Sequence, residues 1–181
     1  MTDLHVAVIF DSRHGTTTQV AQALVEGLHR VPGIVAELDF VPDVRSDVIE
    51  RSDLLIVGGP TEFFSASHHM RVFFNLMGAY DLHGKYAFAF DTHAGGALSG
   101  SAARFIERRL KLQGVTLLEP RASAIVEARP GGASRSGLQL TGGTAARFVE
   151  IGAKLGAELQ DAIRARRAQL GDTGATSPVS P

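Results

Sequence analysis

Residues 6–10 (VAVIF) are apolar without a break, and from residue 17 the pattern turns helical, with Val20, Leu24, Val25 and Leu28 recurring every three to four positions. An unbroken apolar run suits a strand covered on both faces, whereas the wider spacing leaves one buried stripe on a helix. The same change of period repeats along the chain. Val35–Phe40 reads as a second strand, and a short helix near residues 44–51 leads to a third strand at Leu54–Val57. A helix over 67–77 follows, and then a fourth strand at Tyr86–Phe90. Residues 101–113 carry Phe105, Ile106 and Leu110 on one side of a helix, and residues 116–126 contain a fifth strand. From Thr144 to Arg167 the last helix offers Phe148, Val149, Leu155, Leu159 and Ile163 for burial. Strands alternating with crossover helices predict an α/β protein with a parallel sheet.

Two stretches lack either period. Residues 128–143 (ARPGGASRSGLQLTGG) are rich in Gly and Ser and read as a surface loop, and residues 169–181 have little to bury and read as a disordered tail. One domain is therefore expected over residues 1–168. A hydrophobic content of 44% with 20% charged residues in 181 supports a sizeable single core. No apolar run is long enough for a membrane span, and the first ten residues lack a secretory pattern, so a cytoplasmic protein is expected. The absence of cysteine excludes disulfides and thiol chemistry, and a net charge of -1 gives no global field toward nucleic acid or membrane.

Ligands of open parallel sheets sit beyond the carboxyl ends of the strands, so the loops after strands one, three and four carry the candidate chemistry. The first, DSRHGTT, has one glycine where a dinucleotide fold has three, and lacks the Gly-Lys-Ser/Thr of a nucleoside triphosphate loop. It does place Ser12, Thr16, Thr17 and Thr18 around Gly15 before a helix, whose unpaired N–H groups and positive end favour an anion. Two uses fit that chemistry: a cradle for a phosphate monoester, or a helix start capped by Ser12 or Thr16 with the other hydroxyls solvated. A metal centre is not expected. His14, His68, His69 and His93 have no carboxylate in an obvious triad with them, and adjacent His68 and His69 point apart on a helix.

Val8, Ile9, Phe10, Ser12, Gly15, Thr17, Ala21 and Leu24 fill every specified position of the flavodoxin family signature, and the order of strands and helices from Val6 to about Leu159 resembles that family. The resemblance implies a single-domain, flavodoxin-like three-layer sandwich with a five-stranded parallel sheet in the order 2-1-3-4-5. It also implies that Ser12, Arg13, His14, Gly15, Thr16 and Thr17 hold the 5'-phosphate of flavin mononucleotide (FMN), although Arg13 reads as a solvated side chain rather than a ligand clamp. His14 stands where the family usually has a hydroxyl.

By the same resemblance, the ring of the flavin lies between the next two loops. Gly59, Pro60, Thr61, Glu62, Phe63 and Phe64 belong to the first of these, in a Gly-Gly-Pro-Thr context similar to flavodoxin-like quinone reductases. The Thr61 hydroxyl would stand near the polar edge of the ring, and Phe63 or Phe64 would stack on it or pack in the loop. Asp91, Thr92, His93 and Gly95 belong to the second, where His93 is either a stand-in for the family's aromatic residue or an exposed loop histidine. The chain has no Trp, and Tyr80 and Tyr86 lie outside these loops.

The function implied is electron transfer through non-covalently bound FMN, with a redox partner protein or a small-molecule acceptor, by a monomer or dimer. An FMN-dependent NAD(P)H quinone or small-molecule reductase is the alternative, and a flavin-free binding module is the third reading.

Overall fold

The computed structural model describes residues 3–62, 65–95, 100–128 and 137–172. Its spine is a parallel run of strands, β2 (Ile34–Phe40), β1 (Leu4–Phe10), β3 (Leu54–Glu62), β5 (Tyr86–His93) and β7 (Ala122–Ala128), in that spatial order. This is the predicted order of the five strands. Among the described residues the sheet is nevertheless larger and mixed, with eight strands rather than five. Strand β4 (Ser65–Ala66) pairs antiparallel with the end of β3, and β8 (Leu138–Leu140) pairs antiparallel with β7.

The expected fifth strand is split into β6 (Thr116–Leu117) and β7, both parallel to β5. Pro120, which has no N–H to give a ladder, stands in the interruption. Strand β8 lies within the stretch read as a surface loop, because three residues between glycine-rich flanks carry too short a pattern to stand out.

Apolar side chains divide between the two faces of the sheet. On one face Val6, Val8, Leu54, Ile56 and Phe90 meet helix α1 (Thr16–His29) and helix α5 (Thr144–Asp172) through Val20, Leu24, Phe148 and Leu159. On the other, Ala7, Ile9, Leu55, Val57 and Ala89 meet α2 (Ser46–Arg51), α3 (His68–Met77) and α4 (Ala102–Leu112) through Ile49, Phe74, Met77 and Ile106. Alternation along each strand thus produces three layers.

Helices α1 and α5 cross with unusually close backbones. A Cβ on Gly27 would collide with the carbonyl of Val149, and one on Gly152 with the carbonyl of Leu24. Helix α5 extends through residue 172, which covers the first four residues of the expected tail; the rest of that tail lies outside the described residues. Among the described residues, no helix is long and apolar enough to cross a membrane.

Candidate functional site

A cleft of about 420 Å³ opens at the carboxyl edge of the central strands, within the size range of small-molecule sites. Arg13, His14, Thr16 and Thr17 form one wall, with Pro60, Thr61 and Glu62 from β3 beside Thr92, His93 and Ala94 from β5. Val126 and Leu138, from β7 and β8, complete it as an apolar wall. Nine of the residues expected from sequence are therefore brought to one cavity, while Ala94, Val126 and Leu138 were not foreseen. The alternation Leu-Gln-Leu at 138–140 was the one available signal for the last.

At this end of the cleft the N-terminus of α1 is open, unlike those of α3 and α4. Ser67 and Ser101 cap α3 and α4 by accepting from the amides of Met70 and Arg104. Helix α1 instead follows Gly15, which has φ 81° and offers no side chain to cap it. Ser12 Oγ accepts from the Gly15 amide at 3.2 Å, folding the loop into a turn and leaving the Ser12 hydroxyl proton to donate elsewhere. The first two residues of this fourteen-residue helix, Thr16 and Thr17, line the cleft, which puts the positive end of its dipole at this wall. A Cβ at Gly15 would meet nothing within 4 Å, so the glycine is there for its left-handed backbone.

Several hydroxyls and carboxylates bond one part of the cleft to another or to the helices behind it. Thr17 Oγ1 lies 2.8 Å from Thr92 Oγ1, and both residues are buried, tying the α1 loop to β5. The Thr61 hydroxyl donates to Asp91 Oδ2 at 3.1 Å and accepts from the Ala102 amide at 2.9 Å. This hydroxyl is turned to the start of α4.

Asp91, fully buried, accepts on Oδ2 from Thr61, from Ser101 Oγ at 2.8 Å and from the Ala103 amide at 3.0 Å, while its Oδ1 is buried without a partner. It anchors α4 and does not line the cleft. Asp11 has a matching role on the other side of β3. Its buried carboxylate accepts from Ser67 Oγ at 2.5 Å, and its other oxygen lies 3.5 Å from His69 Nδ1. Sequence reasoning passed over Asp11 because nothing local distinguishes a buried carboxylate from an exposed one.

The remaining expected residues have other placements. Gly59 is buried within β3, where a Cβ would lie 3.4 Å from Met70 Cε and 3.7 Å from Asp11 Cβ. Gly95, at φ 79°, donates its amide to His93 Nδ1 at 3.0 Å, which places the proton of neutral His93 on Nε2. Arg13 is ion-paired to Glu62 at 3.1 Å. Phe63 and Phe64 lie outside the described residues.

A separate apolar groove of about 470 Å³ lies between α3 and residues 41–49 on the opposite face. It runs beside the Ser67-capped start of α3 and includes no residue of the loop before α1.

No protein-family model matches the chain. Over 95 residues, 50% of this chain and 50% of the relative, it is 34% identical to a flavodoxin of Aquifex aeolicus. Over 99 residues, 41% of this chain and 49% of the relative, it is 27% identical to an NAD(P)H dehydrogenase (quinone) of Solidesulfovibrio magneticus. The chain spans about half the length of these curated relatives. A solved flavodoxin from the domain Archaea superposes with a TM-score of 0.71 at 19% identity, over 87% of this chain and 99% of that one.

Proposed function

We propose that this chain, which has a flavodoxin-like fold, binds FMN non-covalently in its cleft and transfers electrons through it. The observation that carries the proposal is the uncapped start of α1, set at the mouth of a cleft with an apolar far wall. A phosphate monoester would take the amides of Thr16 to Thr18, the Ser12 hydroxyl, the Thr16 hydroxyl and His14. Pro60, Ala94, Val126 and Leu138 would exclude water from an apolar ring system, while the backbone of residues 92–94 supplies polar contacts. When bound, FMN supplies the redox chemistry itself, by taking up and releasing electrons on its ring. The chain's part is to hold and orient the cofactor. The Thr17–Thr92 bond and the Asp91 network keep the walls in register, so that little is reorganised on binding.

The partial likeness to an NAD(P)H dehydrogenase (quinone) favours a second reading, in which the same cleft serves a reductase. One experiment separates the two. The purified protein is incubated with FMN, passed through a desalting column and assayed with NAD(P)H and a quinone. Retained yellow colour without turnover supports the carrier, whereas steady NAD(P)H oxidation supports the reductase. Colourless protein after reconstitution would refute both.

A further inference from the structure

Arg13 Nη1 stands 3.1 Å from Glu62 Oε1, and both residues line the cleft. Arg13 belongs to the loop before α1, and Glu62 is the last residue of β3, fixed by its pairing with Ser65 of β4. The ion pair therefore runs from one wall of the cleft to the other, at the open end of α1.

We infer that this pair is a charge latch: Glu62 is a built-in competitor that occupies Arg13 until a phosphate group takes its place. The inference rests on the FMN reading and adds to it a residue that sets affinity for the phosphate. Three observations support it. Arg13 is 66% exposed, so the pair is screened by solvent and weak enough to exchange partners. Gly15 and the uncapped amides of α1 begin two residues after Arg13, within reach of a long, flexible side chain. A phosphate dianion carries more charge than one carboxylate, and a guanidinium can grip two of its oxygens at once. The β3–β4 hairpin is held by its own backbone pairing, so removing the Glu62 charge should leave the fold intact.

The test compares wild type with Glu62→Gln, Arg13→Gln and the double variant, titrated with FMN, with riboflavin, which lacks the phosphate, and with inorganic phosphate. Glu62→Gln should tighten FMN by roughly two- to five-fold, the size expected for releasing an exposed ion pair, and leave riboflavin unchanged. In the Arg13→Gln background the gain should shrink, because no cation remains to be released.

An equal effect on FMN and riboflavin, the same gain with and without Arg13, or no gain at all would overturn the latch. If phosphate binds more tightly to Glu62→Gln while FMN does not bind, the latch stands and the FMN reading falls. If neither FMN nor phosphate binds to any variant, both fall.

Discussion

Thr16 and Thr17 are neighbours in sequence, yet the hydroxyl of Thr17 is bonded inward to Thr92. No local pattern assigns these roles, since they depend on what β5 brings opposite. The sequence made the chemistry of the loop legible, small hydroxylated residues around one glycine at a helix start, but not which hydroxyls stay available to a ligand. The carboxylates show the same limit. Asp91 is buried and anchors α4, a placement its local sequence does not announce because its neighbours Thr61 and Ser101 come from distant positions.

Asp39 yields a prediction at this scale. Burial first, and then the nearby Glu37 charge, push its carboxyl above its ordinary 3.8, and its Oδ2 is buried without a hydrogen-bond partner. The folded state thus binds this proton more tightly than the unfolded chain, so the ionised group opposes folding at neutral pH and ceases to do so as pH falls through the raised value. Asp39→Asn should raise the melting temperature at pH 7, with the difference vanishing toward pH 3.8. A lower melting temperature at pH 7 would show the charge to be stabilising.

Among elements, the helices and the parallel strands followed from period alone, because each buries a stripe or a face long enough to repeat. The short pieces β4, β6 and β8 escaped. Two or three residues hold less than a full pattern, and their pairing is decided by the partner strand. The crossing of α1 and α5 gives the sharpest element-level test. Alanine normally gains about 0.5–1 kcal/mol over glycine inside a helix. Gly152 is inside α5, but a Cβ there would strike the Leu24 carbonyl. Gly152→Ala should therefore destabilise, by about 1–3 kcal/mol as overpacked contacts do, in urea unfolding. A stabilised variant would mean that the two helices are not held at this separation.

The whole molecule places its cleft where the winding of the sheet reverses, between loops that leave β1 on one side and β5 on the other. That location was legible from strand order. The apolar wall from β7 and β8 was not, because it depends on an antiparallel return within a glycine-rich stretch. With a net charge of -1, the chain has no overall field to gather an anion, so on the proposed reading selection rests on the start of α1.

The most direct test is equilibrium titration of the protein with FMN and with riboflavin, read by flavin fluorescence, for wild type and for His14→Glu. The account predicts saturable binding with FMN clearly preferred. In His14→Glu, whose new charge lies on the exposed side of the cleft, FMN should weaken by at least about five-fold through like-charge repulsion, while riboflavin is unchanged. Equal affinity for the two flavins, or an FMN affinity indifferent to His14→Glu, would contradict it.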